Sequence, residues 1–205
     1  MATYTLYGDT GDGDLYAGSA TYLTARAGSG IATLLNGNSS AVLNWGQEKS
    51  GPGTYYCYEA FIKFDTSSVV GTVTSVTLSL YIYNDQSATD FTMEARVHPW
   101  GSVGTGDWVA GASLSSGALR ASLSTASITP NAYNDFTSDS SFVSNATNPQ
   151  LILCSDRHGA GTAPTGREYV GADSADGTHP PKLTIVTTGG GSPSSRRRPS
   201  GLYVR

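Results

Sequence analysis

The chain has 205 residues and a net charge of −4, with only 14% of residues charged and with Gly (25) and Tyr (12) abundant. That length is ample for one domain burying roughly 70% of its unfolded-chain surface, and the composition is that of an all-β protein rich in turns. No window of ten or more residues shows helical periodicity and no apolar run is long enough to span a bilayer, which excludes helical bundles, α/β folds and helical membrane proteins.

In chain order, Thr3 to Tyr7 reads as a first strand. The acidic turn Gly8 to Asp14, GDTGDGD, superficially resembles a calcium loop, with Asp9, Asp12 and Asp14 as the candidate ligands. It is no EF-hand, because the twelfth position counted from Asp9 or Asp12 falls on Ala20 or Leu23. A solvated turn is the competing reading. Ala20 to Arg26 and Ala41 to Trp45 read as strands separated by Gly-rich turns.

Ala60 to Asp65 is an aliphatic run joined through Ser67, Ser68 and Gly71 to Val76–Tyr83. In the latter, Val76, Leu78, Leu80 and Ile82 alternate with Thr77, Ser79, Tyr81 and Tyr83, the pattern of a half-buried strand. Two adjacent antiparallel strands are the simplest arrangement. Thr92 to Val97 is expected to turn Met93, Ala95 and Val97 inward. Asp139 to Asn145 is the best place for a short helix, with Thr137 or Ser138 as its cap. Leu151 to Cys154 is continuously apolar, as a strand covered on both faces should be. Lys182 to Thr187 alternates again, with Leu183 and Ile185 inward. Eight or more strands without crossover helices predict an antiparallel β-sandwich.

Chemistry is thin. The two cysteines, Cys57 and Cys154, lie in runs that a sandwich could make neighbours; a disulfide between them competes with two separate buried thiols. The absence of a CxxC or a close His pair argues against a metal centre. Of the three histidines, His98, His158 and His179, His158 lies two residues from Asp156, with which it could form a dyad beside a serine, but no serine has glycines at both second-neighbour positions, so no nucleophile elbow is present and an ordinary exposed loop is the competing reading. Asn38 and Asn145 begin glycosylation sequons that read as chance matches. Exposed aromatics beside polar groups would suit sugar stacking. Tyr81 and Tyr83 are first candidates, followed by Tyr55, Tyr56, Tyr58, Trp45, Trp100 and Trp108; each could equally fill a subunit interface.

The segments FIKFDTSS and VTSVTLSLYIY, with the closing EYVGADSADGTHPPKLTIVTT, resemble the DNRLRE family: a strand ending in Phe-Asp, then Ser, a Val-Thr-Ser-x-x-Leu-x-Leu strand, and a last strand led by Pro-x-Leu. Loosely, the resemblance covers residues 3 to 188, weakening between Trp100 and Thr147. It implies a jelly-roll-like β-sandwich of the kind found as accessory modules in secreted or surface-attached bacterial proteins, some of which bind acidic polysaccharides. It implies little about chemistry.

Composition changes after Thr188. Residues 189–205, GGGSPSSRRRPSGLYVR, form a Gly/Ser-rich linker and a basic arm whose Arg196, Arg197, Arg198 and Arg205 leave the rest of the chain at −8. Leu202, Tyr203, Val204 and Arg205 could add a strand edge to a partner. An acidic body with a basic arm suits head-to-tail assembly, whereas nucleic acid would be repelled by the body. The N-terminus has no basic n-region or apolar h-region. These features together lead to the expectation of a non-enzymatic phage virion protein, a capsid decoration or tail-associated component on the virion surface, with its arm on neighbouring subunits. The alternative is an extracellular carbohydrate-binding adhesion module.

Overall fold

The computed structural model describes residues 1–28, 30–36, 42–51, 53–143, 148–175 and 177–189. Among them, twelve strands form one antiparallel network: β1 (Ala2–Tyr7), β2 (Gly13–Ser19), β3 (Ile31–Asn36), β4 (Val42–Ser50), β5 (Thr54–Lys63), β6 (Thr72–Asp85), β7 (Thr92–Val97), β8 (Leu119–Ser124), β9 (Ala132–Ser138), β10 (Gln150–Ser155), β11 (Arg167–Asp173) and β12 (Lys182–Thr188). Eight of them, in the order β6, β11, β4, β5, β10, β7, β8, β9 and back to β6, close a ring, so the molecule is barrel-like where two separate sheets were expected. Outside the ring, β12 and then β1 extend from β6, and β2 and then β3 extend from β5.

Closure depends on two long strands that change partners. Strand β6 runs beside β12 from Thr72 to Ser79 and beside β11 from Ile82 to Asp85, while β9 takes its other edge from Leu78 to Ile82. Strand β5 has β4 beside Thr54–Tyr58 and β10 beside Ala60–Lys63. Both lie on one edge, because β2 holds the opposite edge from Tyr55 to Phe61.

The main core fills the ring. Leu78, Leu80 and Ile82 of β6 are buried there with Leu43 and Trp45 of β4, Ile62 of β5, Leu151 and Leu153 of β10, and Leu183 and Ile185 of β12. Each such side chain contributes about 1.5–3 kcal/mol. The other face of β10 puts Ile152 and Cys154 into a second cluster with Leu15, Phe61, Trp100 and Leu114, so this strand is covered on both sides as its sequence predicts.

Four expectations are corrected. Strands β5 and β6 are not neighbours: Phe64 and Val69, both 1% exposed, pin the segment between them under the core, so the chain crosses the barrel instead of turning back. The run Ala20 to Arg26 is not a strand. Strand β2 ends at Ser19, and a five-residue helix, α1 (Tyr22–Arg26), follows because Tyr22 and Ala25, one helical turn apart, bury against Cys57. Val97 lies 39% exposed at the end of β7, past the rim of the core. The short helix near Asp139 is a single 3₁₀ turn, Ser140–Phe142, and its cap is Asp139 itself, which accepts from the Ser141 amide.

Candidate functional site

The partner exchange in β5 creates a groove. At Tyr58 the sheet still runs continuously from β2 through β5 and β4 to β11; beyond it β4 leaves and β10 takes its place. Gly46 is the point of departure, with φ +122°, and a Cβ there would stand 2.4 Å from the Glu168 carbonyl oxygen. Only glycine fits such a backbone.

Cross-strand register then builds the groove in rungs. One rung reads Tyr16, Tyr58, Gly46, Tyr169 across four strands. Because Gly46 has no side chain, the rings on either side meet: Tyr58 and Tyr169 lie 5.4 Å apart. The next rung reads Gly18, Tyr56, Glu48, Arg167. A Cβ on Gly18 would come within 2.7 Å of the Tyr56 ring, which therefore lies directly over this glycine. Tyr56 stacks beside Tyr58 at 6.4 Å, and Tyr16 is 6.1 and 6.2 Å from the two. These four tyrosines come from three strands.

Polar groups line the remainder. The Tyr58 hydroxyl donates to Glu48 Oε1 at 2.8 Å, and burial together with that bond pushes the phenol's pKa up. Arg167 reaches Glu48 at 3.8 Å from an exposed position. Asp14 is only 3% exposed. Its Oδ2 accepts from both the backbone amide and the side-chain amide of Asn44, at 3.1 and 3.0 Å. Its Oδ1 is buried without a hydrogen-bond partner in the protein. Burial raises the Asp14 pKa to about 6 against the opposing pull of the Asn44 bonds. Asp14, Tyr16, Asn44, Glu48, Ser50, Tyr56 and Tyr58 line a cleft of about 350 Å³, room for one or two sugar-sized rings at the lower end of small-molecule sites.

The aromatic residues singled out from sequence fall into four groups. Tyr56 and Tyr58 form the groove, and Tyr83 stands beside it: its hydroxyl packs over Gly171, and burial, with Asp14 and Asp173 adding, lifts it to about 12. Tyr81 is already covered, its ring stacked on His179 at 3.8 Å and 11°, with Tyr133 edge-on at 5.5 Å. The tryptophans offer no platform: Trp45 and Trp100 are 0% and 5% exposed, and Trp108 packs across Gly28 and His158. Tyr55 pairs with Tyr22 and sits under Lys49.

Cys57 and Cys154 are free thiols on neighbouring strands. Burial raises Cys57 to about 12 and Cys154 well above its ordinary value, so both stay protonated and unreactive. The three acidic-turn aspartates go to separate places. Asp9 faces Lys63 at 3.9 Å, Asp12 accepts from the Ala175 amide at 2.6 Å, and Asp14 belongs to the groove. Asp12 and Asp14 are thus neither solvated nor convergent, and no group of three or more His, Cys, Asp or Glu among the described residues is arranged to hold a metal.

The Asp156/His158 pair does not act together. Asp156 accepts from the Thr92 and Arg157 amides at the start of a second helix, α2 (Asp156–Ala160). His158 is fully buried in that helix, and burial with the nearby Arg26 charge lowers its pKa to about 4. His98 lines a smaller cleft of about 210 Å³ with Ser113 and Ser116. The arm residues Arg196, Arg197, Arg198, Leu202, Tyr203, Val204 and Arg205 lie outside the described residues, as do Asn38 and Asn145.

Sequence reasoning missed Tyr16, Asn44, Glu48 and Tyr169. The available signal was a pair of i, i+2 doublets, Asp14 with Tyr16 and Tyr56 with Tyr58, each placing two polar-aromatic side chains on one face of a strand. No family model matches the chain, and a search of curated proteins finds no match.

Proposed function

We propose that the chain is a non-enzymatic β module that binds a glycan in the tyrosine-lined groove. The observation that carries this is the cluster of Tyr16, Tyr56, Tyr58 and Tyr169 beside the acceptors of Asp14, Asn44 and Glu48. A sugar ring presents an apolar face to an aromatic ring and hydroxyls to flanking acceptors, and a partly open cleft of this volume supplies both. The resemblance to the DNRLRE family supports polysaccharide binding in general, along with a jelly-roll-like relationship for the barrel, since it implies accessory modules of which some bind acidic polysaccharides; which charge this groove accepts depends on its own lining. A glycan array with the full chain tests it: binding is expected to fall at least tenfold in a Tyr56→Ala, Tyr58→Ala double variant and to survive Tyr81→Ala, whose ring His179 already covers. Binding that ignores the first pair, or no binding on the array, would overturn the assignment.

A second reading concerns where the module is carried. The split between an acidic body at −8 and the four arginines of residues 189–205 favours an arm that docks on a neighbouring acidic subunit, as in a phage capsid or tail assembly. The two readings are compatible, with the groove facing a cell-surface glycan and the arm holding the particle.

A further inference from the structure

Resting on the glycan reading of the groove, the geometry points to a narrower ligand class: we propose that the groove selects glycans bearing an unacetylated amino group, whose ammonium docks on Asp14 Oδ1, and rejects polyuronates and sulfated chains. Three observations support this choice. First, the lining carries two carboxylates, Asp14 and Glu48, and no lysine or arginine. The nearest guanidinium, Arg167, is already directed at Glu48 at 3.8 Å, so an anionic glycan entering the groove would still meet the unpaired charge of Asp14.

Second, the two oxygens of Asp14 differ. Oδ2 is filled by two donors from Asn44, whereas Oδ1, on a side chain 97% withdrawn from solvent by its 3% exposure, is left without a partner. Ala60, its cross-strand neighbour, has no side-chain donor to offer. A buried acceptor of this kind is satisfied only by a donor brought from outside. An ammonium has three donors and no acceptor, so it suits a carboxylate oxygen better than a hydroxyl does, and the bond is charge-assisted.

Third, the remaining groups around Asp14 do not compete with an incoming cation. Asn44, Tyr16, Tyr58 and Tyr83 are uncharged, and Glu48 has the sign of Asp14. With burial raising it to about 6, Asp14 is ionised at pH 7. The rings of Tyr56 and Tyr58 would then hold the sugar bearing that amine, and Glu48 would draw in an amine on the adjoining residue.

The experiment compares three tetrasaccharides by calorimetry with the full chain at pH 7: β-1,4-linked glucosamine, its fully N-acetylated counterpart, and galacturonate. The glucosamine tetramer is expected to bind at least tenfold tighter than the acetylated one, with galacturonate weakest. Asp14→Asn should bring the first two to within twofold of each other; Asp9→Asn, which removes the same charge from outside the groove where Asp9 faces Lys63, should leave the preference in place. Equal affinities, tighter galacturonate, or a preference that survives Asp14→Asn would overturn the inference, the last outcome marking mere attraction of a polycation to an acidic body. Tyr56- and Tyr58-dependent binding of the acetylated tetramer without an amine preference would sink the inference while leaving the glycan reading intact. Failure of all three probes overturns the inference, and the array decides the wider reading separately.

Discussion

Asp14 and His158 are buried ionisable groups whose shifts have opposite consequences. The folded state holds a proton on Asp14 up to about pH 6, where the ordinary carboxylate value is 3.8. Its contribution to stability is therefore present below 3.8 and lost as pH rises through 6, at most about 3 kcal/mol in all. His158 runs the other way. Its ordinary value of 6.5 falls to about 4, so its contribution is present above 6.5 and lost as pH drops through 4, again about 3 kcal/mol. Between pH 4 and 6 the two partly cancel. Glu59, fully buried and raised well above its usual value, carries the sign of Asp14. Relative to the parent chain, Asp14→Asn should thus gain stability as pH rises from 4 to 6, and His158→Leu should lose its relative advantage over the same range. Urea unfolding at pH 4, 5, 6 and 7 measures both; parallel profiles for all three proteins would contradict the burial assigned to these groups. At this scale the sequence was only partly legible. Tyr56 and Tyr58 were candidates, but nothing local marks Asp14 as buried, because Asn44, which holds it, is thirty positions away.

Strands with an unbroken local pattern were readable. Alternation fixes β6 and β12, and the apolar run of β10 reports its two covered faces, because each pattern reflects burial of that strand alone. Pairing was not readable. The neighbours of β5 and β6 depend on registers between distant segments, and the α1 residues form too short an element to display a helical period. Gly46 is where this hidden information is concentrated. Gly46→Ala would force a side chain into φ +122° and against the Glu168 carbonyl, and should cost about 2–4 kcal/mol. Gly53→Ala, with nothing within 4 Å of the new carbon, is the matched control and should stay within about 0.5 kcal/mol. Equal unfolding midpoints for the two variants would argue against the departure of β4 at Gly46.

For the molecule as a whole, the closed ring leaves β1 and β3 as the open edges among the described residues. Thr187 of β12 pairs with Ala2, so the end of β12 lies beside the start of β1. If the arm docks on a particle, as the second reading proposes, deleting residues 189–205 should abolish copurification with particles while leaving the unfolding midpoint and the far-ultraviolet dichroism unchanged; unimpaired incorporation would remove the arm from any assembly role. No helix among the described residues is long and apolar enough to cross a membrane.

The sharing of β5 among three partner strands has a consequence for recognition energetics. Tyr56 and Tyr58 stand on a strand bordered on both edges, and their rings are wedged by Tyr16 and Tyr169 from β2 and β11. Backbone so enclosed opens only with the whole domain. A ligand entering the groove as proposed would therefore find these rings already ordered by folding, and the entropy lost on association would fall on the ligand's own torsions.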